Sequence, residues 1–309
     1  MKNGFIVFCT GWLAMAVNAQ ALPPDSLSAP LLEFVSDTQE PMGVERLYLA
    51  ATQNRRATAM IYSSILHDKP AALFMLGDVV SLGYRNKKWT RTDHFLDSAR
   101  KEGIKVYGLL GNHDVMFRDR RGQINFNKRF PEHRHTGYLQ VVDSIAMVML
   151  NSNFGKLTAK EDEQQQLWYT KTIDSLNNQP AIKGIIVASH HPAFTNSNIV
   201  GPSAGVRQQF LPGFLATKKC VLYITGHAHA FEHFKYQEKN FLVVGGGGGL
   251  HQPLTVKASM PVDLALSYKP FFHYLQIRRY GNFLQLRSWG LKPDFSGFFS
   301  GYSFIINLQ

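Results

Sequence analysis

Seven side chains that can bind a divalent metal follow apolar segments of this 309-residue chain. They are carboxylates, carboxamides and imidazoles, and no thiolate is among them. Oxygen and imidazole-nitrogen donors suit hard or borderline divalent cations, so the set is suited to metal-assisted hydrolysis. In chain order the seven residues are Asp37, Gln39, Asp78, Asn112, His190, His227 and His229.

Asp78 has the chemistry to bridge two cations. A carboxylate offers two oxygens, and its charge offsets the repulsion between ions that lie about 3.5–4 Å apart in two-metal hydrolytic sites. His227 and His229 are two residues apart, so both face the same side if the chain there is extended. Each motif alone is a weak signal, because a Gly-Asp pair usually forms a turn and a single histidine is usually structural. Their order and their shared position after apolar runs argue against chance.

Apolar runs typical of buried strands precede these side chains. We predict strands at residues 31–35, 71–76, 106–110, 145–150, 185–188 and 221–225, and helices at residues 54–67 and 159–176. Strands that alternate with helices indicate an α/β fold, in which ligands gather beyond the carboxyl ends of the strands. The candidate side chains are therefore expected to converge on one edge.

The last quarter of the chain has a different pattern. A predicted strand at residues 241–244 precedes five consecutive glycines at residues 245–249, and residues 280–283 have the composition of a hairpin turn between two alternating segments. We expect this part to form an antiparallel continuation of a second sheet.

Five short blocks resemble the signature motifs of the calcineurin-like metallophosphoesterases, and the likeness runs from about residue 31 to residue 290. The resemblance implies a four-layer α/β/β/α sandwich of two mixed β-sheets flanked by helices, with a dinuclear metal site. The blocks are Asp-x-Gln at 37–39, Gly-Asp at 77–78, Gly-Asn-His-Asp at 111–114, Ser-His-His-Pro at 189–192 and Gly-His-Ala-His at 226–229.

The resemblance also implies a ligand set and a reaction. One metal would be held by Asp37, Gln39, Asp78 and His229, and the other by Asp78, Asn112, His190 and His227. A hydroxide that bridges the metals would attack phosphorus in line, and the substrate would be a phosphomonoester or a phosphodiester. His113 would face the substrate and act as general acid or stabilise the transition state.

Two departures from the family pattern bear on the metals and on His113. Gln39 stands where many relatives have histidine and purple acid phosphatases have glycine. Its amide oxygen resembles the ligand of Mn-dependent ADP-ribose and CDP-alcohol pyrophosphatases, so we favour Mn²⁺, with Fe and Zn as alternatives. Ser81 stands where phosphoprotein phosphatases carry the aspartate that orients the catalytic histidine and purple acid phosphatases carry a ligating tyrosine. A purple iron site is therefore not expected, and the group that orients His113 stays open.

The net charge of +11 favours anionic partners. Basic clusters at residues 85–91 and 118–129 follow two of the predicted strand ends and would form the rim of the site. The candidate substrate-binding residues are His191, Arg85, Lys88 and Arg118. A solvated basic surface explains the clusters equally well. Trp89 lies among these bases, where it could stack on a nucleobase.

The N-terminal segment has the pattern of a secretory signal peptide. Lys2 precedes an apolar stretch, and cleavage is predicted after Ala19 or Ala21. An uncleaved anchor is the alternative, but the apolar run is short of the ~20 residues that a spanning helix needs. We expect a signal peptide at 1–21, a linker at 22–30 and a single domain at 31–309, in a periplasmic or extracellular protein with no stable membrane insertion.

The sequence is compatible with three kinds of function. The leading hypothesis is an exported dinuclear-metal phosphoesterase acting on an anionic phosphate-ester small molecule. A nucleotide pyrophosphatase or a nuclease that uses the basic rim is an alternative, although nucleic acid is not the favoured partner. A non-catalytic binding module on the same fold is the third. The sequence leaves the substrate and the oligomeric state undetermined.

Overall fold

The computed structural model describes residues 29–308 apart from Tyr48 and Ala51. The expected signal peptide and most of the expected linker lie outside the described residues. The strands in chain order are β1 Leu32–Val35, β2 Ala72–Met75, β3 Lys105–Gly108, β4 Tyr138–Val142, β5 Ile145–Met149, β6 Gly184–Ala188, β7 Cys220–Thr225, β8 Phe231–Tyr236, β9 Lys239–Val244, β10 His273–Tyr280, β11 Phe283–Leu291 and β12 Phe298–Asn307. The helices are α1 Asn54–Asp68, α2 Asn86–Lys101, α3 Asp119–Arg129, α4 Ala159–Asn177 and α5 Leu211–Ala216.

The first sheet has six strands in the order β12-β11-β10-β1-β2-β3. Strands β1, β2 and β3 are parallel, whereas β10 runs antiparallel to β1. The predicted hairpin at residues 280–283 is present between β10 and β11. Its assignment to a second sheet is wrong, because β10 pairs with the free edge of β1. Alternating apolar residues predict a strand, but they do not specify which sheet edge will satisfy its backbone groups.

The second sheet also has six strands, in the order β4-β5-β6-β7-β9-β8. The four inner strands are parallel, and β4 and β8 close the two edges as antiparallel partners. Both sheets are therefore mixed, as the family resemblance implies.

Three apolar layers separate the two sheets and their helices. Phe34, Phe74 and Ile186 belong to the layer between the sheets. A second layer packs the first sheet against α1, α2 and α3, and a third packs the other sheet against α4 and α5. The side chains of β1 are buried on both faces, since Phe34 enters the inner layer and Val35 the outer one. The result is the predicted four-layer α/β/β/α sandwich.

The parallel strands of the two sheets end beside one another. The Asp37 amide, after β1, donates to the Gly77 carbonyl, after β2, at 3.0 Å. Contact between the sheets is made by His190, whose Nδ1 lies 2.9 Å from the carbonyl oxygen of Leu76. The loops that follow β1, β2, β3, β6 and β7 therefore meet at one place. No helix in the described part of the chain is both long and apolar enough to cross a membrane.

Candidate dinuclear metal centre

Two groups of donor side chains share the Asp78 carboxylate. In the first group, atoms of Asp37, Asp78 and His229 lie within 4.8 Å of one another, and in the second the same holds for Asp78, His190 and His227. His229 Nε2 lies 3.4 Å from Asp37 Oδ1, and His190 Nε2 lies 3.2 Å from Asp78 Oδ2. Asp78 thus stands where a bridging ligand must stand.

The two amide side chains divide between these groups. Asn112 Oδ1 lies 3.2 Å from His190 Nε2, so Asn112 joins the second group. The Gln39 amide is satisfied when its Nε2 donates to the carbonyl oxygens of Asp78 at 2.8 Å and Asp37 at 3.1 Å. This orientation turns Gln39 Oε1 toward His229 Nε2 at 3.3 Å, so the oxygen faces the first group. The structure brings all seven predicted metal-binding residues together in this way.

Backbone carbonyls fix the orientation of two imidazoles. His190 Nδ1 lies 2.9 Å from the Leu76 carbonyl, and His229 Nδ1 lies 2.7 Å from the Leu250 carbonyl. When Nδ1–H donates to a carbonyl, the lone pair of Nε2 points the other way, which is the usual arrangement of a metal-binding histidine. In both residues Nε2 faces the carboxylates.

Three of the seven residues adopt a left-handed backbone. The φ angle is 59° at Asp37, 49° at Asp78 and 68° at His227. Such angles are uncommon for residues other than glycine and cost of order 1–3 kcal/mol each, so they persist where the surroundings enforce them. Each of the three lies just after a parallel strand, where the chain must turn sharply into the shared space.

Glycine at position 111 lets the loops after β2 and β3 approach closely. A Cβ at Gly111 would lie 2.1 Å from both the backbone nitrogen and Oδ1 of Asp78. Any side chain there would displace the shared carboxylate. The glycine that precedes Asn112 is therefore required by packing.

Opposite charges at close range perturb the pKa values of the cluster. Burial opposes the charged form of both partners, yet the Asp78 carboxylate raises the pKa of His190 to about 9, and the imidazoles of His190 and His113 lower that of Asp78. Burial, with His191 and His190 nearby, lowers the pKa of His227. Two buried carboxylates and several imidazole lone pairs directed at a common space are the donor set that divalent cations neutralise. The residues present therefore fit a dinuclear divalent site.

His113 lies beside the shared carboxylate with its ring oriented by the backbone. Its amide donates to Asp78 Oδ1 at 2.7 Å, and its Nδ1 lies 3.2 Å from the carbonyl oxygen of Ser81. Nε2 is left facing the site, 3.9 Å from Asp78 Oδ2. The open question about His113 thus has a structural answer, because Ser81 orients the ring through its carbonyl. The Ser81 hydroxyl has no hydrogen-bond partner among the described residues.

Two residues near the site were not anticipated from the sequence. Asp114 accepts hydrogen bonds from the amides of Val79, Val80 and Gly111 at 2.9–3.2 Å, and so ties the loops after β2 and β3 together. Burial and the neighbouring Asp78 raise the pKa of its carboxyl to about 7. The Gly-Asn-His-Asp block contains Asp114, so a signal for it was present.

Glu45 is the second unanticipated residue. Its Oε1 lies 3.8 Å from His113 Nε2, and its Oε2 accepts a hydrogen bond from the Met42 amide at 2.5 Å. It belongs to the loop between β1 and α1, which carries no family motif. No sequence signal could have placed it at the site.

His191 is the candidate substrate-binding residue that contacts the cluster directly. Its ring centroid lies 4.4 Å from that of His227, and its Nδ1 lies 2.8 Å from Ser152 Oγ. Burial and the adjacent His190 lower the pKa of His191 to about 3. A neutral imidazole of this kind can donate a hydrogen bond to a substrate without adding charge.

The three basic candidates of the predicted rim, Arg85, Lys88 and Arg118, are exposed. The guanidinium groups of Arg85 and Arg118 both lie against the Tyr84 ring, 5.4 and 5.6 Å from its centroid. Lys88 Nζ lies 4.0 Å from Glu40 Oε2. The suggestion that Trp89 stacks on a nucleobase is wrong, because Trp89 is fully buried and donates from Nε1 to the Gly83 carbonyl at 2.9 Å. The Trp89 side chain packs into the apolar layer between α2 and the first sheet. The charged residues on either side of it in the sequence suggested an exposed position instead.

The sequence profile of calcineurin-like phosphoesterases matches residues 34–231. The chain belongs to this family. The matched range contains all five motif blocks, so the resemblance is confirmed. Membership of the calcineurin-like phosphoesterases supports a metal-dependent phosphoester hydrolase, the class of enzyme predicted from the motifs. No curated protein matches the chain.

Solved structures share the fold at low sequence identity. Purple acid phosphatase PPD1 from yellow lupin seeds is 16% identical with a TM-score of 0.66, and the match covers 91% of this chain and 54% of the lupin chain. GAP50, described as the anchor in the inner membrane complex of Plasmodium, is 14% identical with a TM-score of 0.65, covering 91% and 89%. A dimetal phosphatase from Danio rerio is 12% identical with a TM-score of 0.55, covering 91% and 99%. The chain spans about half the length of the lupin protein, and these identities show the fold alone.

Proposed function

We propose that this protein is an exported phosphoesterase that hydrolyses phosphomonoesters or phosphodiesters at a dinuclear metal site. The observation that carries the proposal is the position of Asp78, whose carboxylate belongs to both donor groups and lies 3.9 Å from His113 Nε2. The donors for two metal positions and the candidate proton donor thus share one space. This combination is suited to displacement at phosphorus.

The two donor groups support a proposed set of residues for each ion. Two divalent ions, when bound, supply Lewis-acid charge for the phosphoryl oxygens and lower the pKa of water toward neutrality. The harder oxygen of Gln39 favours Mn²⁺ over Zn²⁺. One ion would be held by Asp37, Gln39, Asp78 and His229, and the other by Asp78, Asn112, His190 and His227.

His113 is proposed to act on the leaving group. Its Nδ1 donates to the Ser81 carbonyl, so Nε2 faces the site and would carry the transferable proton in the imidazolium form. From there the imidazole can protonate a leaving alkoxide or donate a hydrogen bond to a phosphoryl oxygen. The Ser81 carbonyl at Nδ1 and the bond from the His113 amide to Asp78 hold the residue in this orientation.

The observations disfavour a nuclease and a binding module. A nuclease draws support from the basic rim, but burial of Trp89 removes the stacking platform expected beside it. A binding module, a role compatible with the fold because GAP50 is described as an anchor, would not need all seven donors in one cluster. We therefore propose an anionic small molecule with a phosphate ester as the substrate.

Export is proposed from the N-terminal sequence alone. The basic residue, apolar stretch and Ala-Gln-Ala at residues 19–21 are typical of a cleaved signal peptide. Cell fractionation with N-terminal sequencing tests this. Recovery of a chain beginning at Gln20 or Leu22 outside the cytoplasm is expected, and an uncleaved chain in the cytoplasm would contradict it.

Hydrolysis of chromogenic esters tests the activity. p-Nitrophenyl phosphate and bis(p-nitrophenyl) phosphate are compared in the presence of Mn²⁺, Fe²⁺, Zn²⁺ or Mg²⁺. We expect turnover of at least one ester with Mn²⁺, abolished in Asp78→Asn and unchanged in the matched control Asp97→Asn, whose carboxylate is exposed on α2. Absence of turnover with every metal would overturn the proposal.

A further inference from the structure

A cationic cleft lies beside the candidate metal centre. It has a volume of about 360 Å³ and is formed by the loop after β1, the first turn of α1 and the first three turns of α2. We call it the Glu40 cleft, because Glu40 lies in it. Glu40 directly follows Gln39, so the cleft begins one residue from a proposed metal ligand. The charged residues that line it are Glu40, Arg55, Lys87, Lys88 and Arg91.

Several cations of the Glu40 cleft converge on one carboxylate. Glu40 Oε1 lies 3.0 Å from Arg55 Nε and 3.7 Å from Arg91 Nη1, and Glu40 Oε2 lies 4.0 Å from Lys88 Nζ. Four cations line the cleft against one carboxylate, which leaves three positive charges uncompensated. The remaining positive charge of the cleft therefore attracts a further anion.

Arg91 has a donor that the protein does not satisfy. Its Nε is buried and has no hydrogen-bond partner among the described residues. Its Nη1 donates at 3.4 Å to the backbone carbonyl of Arg55. A buried donor without an acceptor is costly, and a guanidinium group matches the oxygens of a phosphate in a bidentate arrangement. Nε itself is closed to a ligand, so a phosphate in the cleft would bind through the terminal nitrogens of Arg91, whose side chain is 28% exposed.

We infer that the Glu40 cleft binds a second phosphate group of the substrate. The inference rests on the proposed function, since the phosphate to be cleaved occupies the metal centre. The Gln39 side chain is buried at that centre, whereas the Glu40 side chain is partly exposed in the cleft. The main chain of the loop therefore separates the two sites, and the preferred substrates are bisphosphates whose two phosphate groups are joined by an organic spacer.

Pairs of substrates that differ only in the second phosphate test this. Values of kcat/KM are compared for fructose 6-phosphate and fructose 1,6-bisphosphate, and for adenosine 5′-monophosphate and adenosine 3′,5′-bisphosphate. We expect the bisphosphate to be preferred by about tenfold or more in at least one pair, the factor that corresponds to about 1.4 kcal/mol. A ratio near one in both pairs, with p-nitrophenyl phosphate still hydrolysed, overturns the inference and leaves the proposed function standing.

Two variants of the cleft are expected to change the preference for bisphosphates in opposite directions. The double variant Arg55→Gln, Lys88→Gln should bring the ratio of bisphosphate to monophosphate kcat/KM close to one. Glu40→Gln should raise the ratio by about threefold, because it removes the internal anion that competes for the cations. The control Lys101→Gln removes one positive charge at the far end of α2, as Lys88→Gln does at its start, and should leave the ratio unchanged. A ratio that the double variant does not lower contradicts the assignment.

A binding measurement separates the two proposals if no ester is hydrolysed. Fructose 1,6-bisphosphate is titrated calorimetrically into the metal-free protein. Weaker binding to the Arg55→Gln, Lys88→Gln variant than to the wild type and Lys101→Gln supports the cleft even when the proposed function fails. Equal affinity for all three proteins overturns it.

Discussion

The metal centre and the Glu40 cleft are neighbours built in opposite ways. Mostly buried side chains make the metal centre, and backbone groups orient them, as the Leu76 carbonyl does at His190. Long, partly exposed side chains make the cleft, including Arg55 with 75% of its side chain accessible. Buried groups hold one geometry, whereas exposed cations adapt their rotamers and are screened by salt. We therefore expect the metal centre to carry out the hydrolysis and the Glu40 cleft to determine which substrates are preferred.

The largest effect is expected from the residue that both metal groups share. Asp78→Asn removes the only charge common to the two groups, so kcat/KM should fall by about a thousandfold or more, the order seen when a central electrostatic group is lost. Steady-state kinetics with p-nitrophenyl phosphate and Mn²⁺ measures it. A fall of less than about tenfold would show that the two groups function independently.

His113→Ala is expected to lower kcat by about a hundredfold, the usual scale of general acid catalysis. The loss should be greater for an alkyl phosphate than for p-nitrophenyl phosphate, because an alkoxide needs its proton and p-nitrophenolate does not. Ser81→Ala is the matched control. It keeps the backbone carbonyl that orients His113, so activity should stay within about twofold of the wild type. Equal losses for both leaving groups would contradict the role of proton donor.

The sequence predicted the metal centre better than any other part of the molecule. Each candidate metal-binding residue follows an apolar strand, and the ends of parallel strands meet at the same edge, so strand order brings Asp37 and Asp78 together. His190 reaches them because the second sheet packs against the first. The orientation of His113 was not predictable in this way. It depends on the backbone carbonyl of Ser81, and every residue type has such a carbonyl, so the sequence does not indicate the contact.

The sequence did not predict the sheet that receives the last strands or the composition of the cleft. β10 was assigned to the wrong sheet because a hairpin pattern does not identify the edge it will join. Glu40 and Arg55 come from a loop and a helix start with no regular spacing. Their meeting depends on the tertiary path of the loop between β1 and α1.

Asp114→Ala tests whether the hydrogen bonds that hold the loops of the metal centre also stabilise the fold. It leaves the amides of Val79, Val80 and Gly111 without their acceptor, so the free energy of unfolding should fall by about 2–3 kcal/mol. Urea denaturation monitored by circular dichroism measures it. Asp174→Ala, an exposed change on α4, is the control and should have little effect. Equal stabilities would show that the two loops are held by other contacts.

A smaller effect is expected from salt, which should weaken binding in the Glu40 cleft more than it slows hydrolysis at the metal centre. Raising the ionic strength from 0.05 to 0.5 M shortens the screening length to a few ångströms, so the preference for bisphosphates should fall by about threefold. The kcat for p-nitrophenyl phosphate should change less, because the groups that act on it are buried. If both quantities change in parallel, the cleft does not act as a separate charged site.

The central claim is that Asp78 joins two metal positions in one centre. The metal content of the protein after dialysis against Mn²⁺, measured by mass spectrometry of the digested sample, tests this most directly. We predict two Mn²⁺ per chain in the wild type, fewer in Asp78→Asn, and no change in the control Asp97→Asn. One ion per chain, or full occupancy in folded Asp78→Asn, would contradict the dinuclear centre.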